Sequence, residues 1–466
     1  MNVVVRDARV DGRRRDLRVE GCEAVVLDGE RLPTGGRGSA PDLVVDAAGG
    51  ACLPGLHDHH VHLLAAAAAA ASVDVAGAAD AAALAGLLRP PGAGWVRALG
   101  YHESIAGPLD RRALDRLTGD RPVRVQHRSG ALWMLNSAAL REVAGALDDS
   151  ADVERDRDGA PTGRLWRYDA RLRPALPAMA PDLRALGDRL LRLGVTGATD
   201  ATPDLAPDAV DLLVGARADG RLPQRLLLMG APDGWAPPPG SGVGAGPAKL
   251  LLRDHDLPDV AEIAAWIDAR HRHGRPVAVH CVTADALALV VAALDLVGPL
   301  PGDRLEHAAV VPDGLRGDLV RLGLRVVTQP DFLRTRGEEY RREVPPDELG
   351  FLYPFASLRD AGVPVAASSD APFGDLDPWR VVRSAARRET YAGTVLGRAE
   401  RVDAAVALAG YLAPPDRPGD PPRALRTGGP GDLCLLGVPL AEALAAPDAA
   451  AAVRLTVVGG RVVALG

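Results

Sequence analysis

Four of the chain's eleven histidines fall within six residues, in Leu56-His57-Asp58-His59-His60-Val61-His62, directly after Pro54-Gly55. On a strand, residues i and i+2 face the same way, so His60 and His62 can converge on one metal ion. His57 and His59 would then alternate to the opposite face. A solvated loop with chance histidines is the plainer reading of this segment taken alone. Three more groups sharpen the picture. His280 closes the apolar run Pro276–Val279, His307 closes Arg304-Leu305-Glu306, and Asp370 ends Val365-Ala366-Ala367-Ser368-Ser369. Each stands at the end of a strand-like segment, just before a loop. Lys249 is the only lysine in the sequence, every other basic position being arginine. Guanidinium serves general salt-bridge needs, so a surviving lysine suggests a neutral amine that reacts with a carbonyl or with CO2, unless it survives by chance. Singly, each of these residues reads as an ordinary core or cap group. Together they put a ligand-capable side chain on several successive strands.

Those strands come from an α/β pattern. Ten apolar segments alternate with Ala/Leu/Arg-rich helical stretches: Leu56–His62, Trp95–Tyr101, Val123–His127, Val195–Asp200, Arg225–Met229, Lys249–Leu252, Pro276–His280, Arg304–His307, Arg325–Gln329 and Pro364–Asp370. A (β/α)8 TIM barrel needs eight. The second and third segments, with a turn-rich hairpin at Val153–Trp166, read as part of an insertion over residues 65–188. The ends are β-rich: Asn2–Val5, Asp16–Glu20, Glu23–Leu27 and Leu43–Asp46 at one, Gly431–Leu436 and Val453–Val463 with a Gly459-Gly460 turn at the other. Residues 1–53 and 415–466 are therefore expected to form one composite β-sandwich beside a barrel over 54–414.

Composition narrows the class. The 466 residues carry 54 Lys plus Arg against 61 Asp plus Glu, a net charge of −7 that offers no general attraction to nucleic acid. The amino terminus lacks the apolar h-region of a secretory signal, and Leu63–Leu88 is interrupted by Asp74 and Asp80, so neither export nor a membrane span is expected. Cys22, Cys52, Cys281 and Cys434 show no CxxC spacing. A soluble cytoplasmic protein acting on a small molecule, with a homodimer as the default association, is the expectation.

Pro54-Gly55-Leu56-His57-Asp58-His59-His60-Val61-His62 resembles the opening motif of the amidohydrolase superfamily. His127 to Trp133 with Asn136-Ser137-Ala138-Ala139-Leu140, Pro161-Thr162-Gly163, Gly194-Val195-Thr196, Arg304 to Ala308, Tyr353-Pro354 and Ser369-Asp370-Ala371-Pro372 are similar to segments of its family 3 branch. The resemblance implies a (β/α)8 barrel with a terminal β-sandwich and a divalent metal centre, usually of two zinc ions. By that resemblance His60 and His62 bind the more buried metal, Lys249 is carboxylated by CO2 and bridges the two, and His280 and His307 bind the second. Asp370 serves as ligand and proton shuttle. The implied reaction is hydrolysis of an amide, N-formyl, carbamate or cyclic amide C–N bond through a metal-bound hydroxide. Tyr101, His102, His127, Trp133 and Trp166 are the candidates for lining the substrate pocket. The sequence departs from the family after Lys249, after His280 and after Tyr353-Pro354.

The alternative is a mononuclear deaminase using His60, His62, His280 and Asp370. Such enzymes place a glutamate three residues after the strand-five histidine, where this chain has Thr283. A Schiff-base aldolase on Lys249 would leave the histidines without a task, and a non-catalytic binding scaffold would not need so full a ligand set.

Overall fold

The computed structural model describes residues 2–20, 23–27, 43–176, 181–446, 448–459 and 461–464. Cys22 and Gly460 of the expected hairpin turn lie outside the described residues. Two compact units emerge, Met1–Leu63 with Leu183–Gly466, and Leu64–Asp182.

In the first unit the continuous apolar runs form parallel strands: β1 (Leu56–Val61), β2 (Val195–Asp200), β3 (Arg225–Leu228), β4 (Val243–Ala245), β5 (Ala248–Leu251), β6 (Val277–Cys281), β7 (Arg304–His307), β8 (Arg325–Thr328) and β9 (Val365–Ala367). Every residue of β1, β2 and β7 is buried, as strands covered on both faces require. The strands pair in the orders β4-β3-β2-β1 and β5-β6-β7-β8-β9. Where the sequence predicts one strand, Lys249–Leu252, the chain has two, β4 and β5, separated by Gly246-Pro247. Proline has no N–H to donate, so the ladder changes partner there. The Gly246 N–H still donates to Leu228 O at 2.9 Å, whereas that of Ala248 donates to Pro276 O at 2.8 Å. At the other end, the Asp370 N–H donates to His60 O at 2.8 Å and the His62 N–H to Ala371 O at 2.9 Å. The metal-capable residues of both strand ends are thus stitched together by backbone.

The terminal segments form two sheets, the first mixed and the second antiparallel. One orders Gly429–Pro430, Glu23–Leu27, Arg13–Glu20, Asn2–Val10 and Leu43–Asp46, and the other orders Arg461–Ala464, Val453–Val458, Leu433–Leu436 and Cys52–Pro54. A single apolar cluster takes Val3, Val5 and Leu17 from one end of the chain and Leu433, Leu435 and Val457 from the other. No described helix is long and apolar enough to cross a membrane. Cys52, Cys281 and Cys434 are buried free thiols.

The second unit is built on a six-stranded sheet in the order Val153–Arg155, Pro161–Trp166, Leu132–Leu135, Val123–His127, Val96–Tyr101 and Val73–Asp74, with an apolar cluster on each face. Asn136 knots it. Its buried side-chain oxygen accepts from Ala139 N and Val123 N at 2.9 and 3.0 Å, and its amide donates to Arg121 O and Thr118 Oγ1 at 2.7 and 3.0 Å. An alanine would remove a helix N-cap and leave buried partners unmade. Asn136→Ala is expected to cost about 2–3 kcal/mol of this unit's stability in urea unfolding. A loss below ~0.5 kcal/mol would show that water replaces the amide.

Candidate metal centre

Alternation along β1 sorts its side chains. His57 Nε2 meets Thr199 Oγ1 at 2.9 Å and His59 Nε2 meets Gly410 O at 3.0 Å, with their rings 4.8 Å apart on one face. A Cβ at Gly197 would stand 2.4 Å from His57 Nδ1, so only glycine lets that ring lie against β2. Asp58 and His60 take the other face. Asp58 Oδ1 accepts from the N–H groups of His60 and Ser369, each at 3.2 Å, which ties β1 to the segment before Asp370. Burial pushes the Asp58 carboxyl up to about 6.

On that second face three donor atoms converge. His60 Nε2 lies 3.4 Å and His62 Nε2 3.2 Å from Asp370 Oδ1. Neither contact has hydrogen-bond alignment, and Asp370 Oδ1 is buried without a hydrogen-bond partner among the described residues. Donor atoms ~3.4 Å apart are what an ion with bonds of about 2.1 Å requires of adjacent ligands. The rings are set from behind. His60 Nδ1 hydrogen-bonds the Glu306 carboxylate, which accepts the Nδ1 proton and leaves the Nε2 lone pair facing Asp370. His62 Nδ1 meets Thr202 Oγ1 at 3.1 Å. The Gln329 amide nitrogen donates to Ser368 Oγ at 3.0 Å, which fixes its oxygen as the acceptor for His307 Nδ1 at 2.6 Å.

The His307 ring lies 5.0 Å from that of His60 and 4.4 Å from that of His280. Lys249 is 6% exposed, and its Nζ has no hydrogen-bond partner among the described residues. Its charge acts on His60, His280, His307 and Glu306. Burial pushes Lys249 below its ordinary value, lowers His60 to about 4 and His307 to about 3, and holds His280 well below its usual range. Neutral imidazoles with free lone pairs are the state that binds a cation. Burial would raise Asp370, but the imidazoles of His60, His307 and His62 outweigh it and keep the carboxylate ionised.

A family model described as the amidohydrolase family matches residues 43–464. The chain belongs to that family. It is an enzyme, a hydrolase of that family. The N-substituted formamide deformylase of Arthrobacter pascens is 28% identical, over 86% of this chain and 87% of that protein. An uncharacterized metal-dependent hydrolase from Pyrococcus horikoshii shares the fold with a TM-score of 0.72 at 18% identity, over 94% of this chain and 97% of that one. The N-isopropylammelide isopropylaminohydrolase of Burkholderia multivorans gives a TM-score of 0.54 at 18% identity, over 99% and 98%.

In this amidohydrolase the five expected pocket residues all belong to the second unit. Tyr101 is fully buried and donates to Gly107 O, and Trp133 is 2% exposed and donates to Asp169 Oδ1 at 2.7 Å. Trp166 is partly buried under the Arg164 guanidinium, 5.7 Å from its ring. His102 and His127 are partly exposed and gather around Glu103. In the first unit His271, at the end of the helix Val260–His271, meets buried Asp303 at 3.0 Å. The sequence alone gives Glu306 no role. It is 0% exposed, and Arg304 Nε donates to its second oxygen at 2.6 Å. The available signal is an acid two residues after an arginine and beside a ligand histidine on one short strand.

Two outcomes follow from this geometry. Glu306→Gln keeps the shape but weakens the acceptor behind His60, so metal affinity is expected to drop ~10–100-fold in competitive chelation. The unfolded histidines protonate near 6.5, the folded His60 and His307 only near 4 and 3. The unfolded chain therefore binds more protons across that window. Stability of the metal-free protein is expected to hold above pH 7 and to fall as the pH drops from 6.5 towards 4. A thermal midpoint flat over that range would contradict neutral buried imidazoles.

Proposed function

We propose that this enzyme hydrolyses the C–N bond of a small amide-like molecule at the His60–His62–Asp370 centre, with an N-substituted formamide as the first candidate substrate. The carrying observation is three buried donor atoms facing one another without hydrogen bonds between them. His280, His307 and a carboxylated Lys249 would complete a second metal position, zinc being the first choice for the imidazole-rich set. Carboxylation forms an N–C bond between the neutral Nζ and CO2, and the displaced proton leaves to solvent. Buried Nζ without a partner fits that modification, since the carbamate oxygens supply what the bare amine lacks. Divalent metal bound here would polarise the substrate carbonyl and lower the pKa of water towards 7.

The remaining work falls to the chain itself. Asp370 would take a proton from the attacking water and pass it to the leaving nitrogen, its unpartnered Oδ1 being the atom in place. Glu306 and Gln329 hold the His60 and His307 rings in the tautomer that keeps Nε2 free. A cavity of about 240 Å³, walled in part by Lys249, Met229, Ala231 and Trp266, offers space for a small substrate. The 28% identity to a formamide deformylase favours N-formyl compounds among the amides. We further propose that β1 to β9, with β4 and β5 counted as one bent strand, close as a (β/α)8 barrel, and that the terminal sheets pack as its β-sandwich. Thr283 caps the helix Ala284–Val297 and holds Asp254 at 2.9 Å, so the deaminase reading has no acid at that position.

Elemental analysis and native mass under CO2 test the reading. Two metals and a carboxyl adduct are expected, with Lys249→Ala losing the adduct and one metal, and a short carboxylic acid restoring part of the activity. Asp370→Asn is expected to lower kcat on N-substituted formamides by ~10²–10⁴-fold. One metal with an unmodified lysine would retire the two-metal scheme, and a metal-loaded enzyme inert towards the whole amide series would retire the substrate class.

A further inference from the structure

His62 differs from the other rings that are set from behind. His60 Nδ1 meets a carboxylate and His307 Nδ1 an amide oxygen, whereas His62 Nδ1 meets a hydroxyl, Thr202 Oγ1, at 3.1 Å. A hydroxyl can donate or accept, so that contact by itself does not assign the ring proton. Asp200 assigns it. This residue ends β2 and is 0% exposed. Its Oδ2 accepts from the Leu63 N–H at 2.8 Å and its Oδ1 from the Thr202 N–H at 3.1 Å. The Thr202 hydroxyl hydrogen-bonds the same carboxylate, in the sense that favours its ionised form. The Ala201 N–H donates to Val61 O at 2.8 Å, so backbone fixes this turn against the end of β1.

A carboxylate ringed by N–H groups is an acceptor, so the single hydroxyl proton of Thr202 goes to Asp200. Thr202 Oγ1 then turns its lone pairs to His62, and the ring must donate from Nδ1. We infer that Asp200 is a positioning residue: acting through the Thr202 hydroxyl, it keeps the His62 proton on Nδ1 and leaves Nε2, 3.2 Å from Asp370 Oδ1, as a lone pair for the metal. This rests on His62 being a metal ligand, as proposed above. Asp200 grips Leu63, the residue after His62, as well as Thr202, so ring orientation and backbone share one anchor. Its charge, two hydrogen bonds from the ring, also makes the imidazole a better donor to a cation. An asparagine would undo the relay. It offers one acceptor oxygen to three donors, and its NH2 could donate to Thr202 Oγ1. The hydroxyl would then be free to donate to His62 Nδ1, which puts the ring proton on Nε2, where the metal must bind.

Nitrogen NMR of isotope-labelled histidines in the full, chelator-stripped chain reads the tautomer, with the His62 signals identified by their loss in His62→Ala. The unaltered chain is expected to carry the His62 proton on Nδ1, and Thr202→Ser to keep it there. Thr202→Val and Asp200→Asn are expected to move it to Nε2 or divide it between the nitrogens. Zn2+ affinity in competitive chelation is expected to fall about 10–100-fold in Thr202→Val and Asp200→Asn and to recover in Thr202→Ser. An unaltered ring protonated on Nε2, or a tautomer indifferent to both Thr202→Val and Asp200→Asn, would overturn the inference. Zn2+ affinity unchanged in His62→Ala would instead retire His62 as a ligand, and with it the role of the relay in metal binding. Should Asp200→Asn fail to fold, the Thr202→Val and Thr202→Ser pair decides at the hydroxyl. The tautomer of the unaltered chain then decides at the carboxylate, because a proton on Nδ1 requires the hydroxyl to send its own to Asp200.

Discussion

The centre depends on one buried carboxylate. Glu306 is fully enclosed, so its charge is tolerable only because Arg304, two residues earlier on the same strand, donates to one oxygen while His60 donates to the other. Removing either partner of such a pair costs about 3–5 kcal/mol, because the remaining charge stays buried. Arg304 does more than neutralise. Its second nitrogen donates to His59 O at 3.0 Å, so the guanidinium grips the backbone of β1 beside the histidine that Glu306 orients. β1 and β7 are thereby locked by one relay that also sets a ligand's tautomer.

Strand alternation alone would send neighbouring residues of β7 to opposite faces, yet Glu306 and His307 both serve the centre. The backbone resolves this at a cost. His307 takes φ 71°, and Ala308 follows at φ 45°. Asp370 at φ 51° and Tyr353 at φ 44° share the left-handed region. Non-glycine residues there cost on the order of 1–3 kcal/mol each and persist where surrounding contacts overdetermine them. The Asp370 N–H bond to His60 O and the Gln329 grip on His307 are such contacts. The strain lies where side chains must turn inward at the strand ends, and it is absent from the middles of the same strands.

Much of this was legible beforehand. Val195–Asp200, Val123–His127 and Arg304–His307 are strands with the bounds the sequence suggests, the first and last buried throughout and Val123–His127 burying its alternate valines. The shared face of His60 and His62 follows from period-two alternation. The break at Gly246-Pro247 was less legible, since its meaning depends on which strands flank it. Glu306 went unassigned because its partner lies 246 residues away and an acid on a strand has no periodicity of its own.

The sequence by itself determined the donor chemistry, the strands that carry it and the singular lysine, because residue type and short-range spacing are local properties. Tertiary structure alone decided which donors face one another, which nitrogen each imidazole presents, and that Lys249 Nζ and Asp370 Oδ1 lie buried without hydrogen-bond partners among the described residues. Tautomer is set by neighbours from 22 to 246 residues distant, and no local pattern encodes it. The same holds in the second unit, where His102 and His127 become a pair only because two parallel strands bring their ends into register.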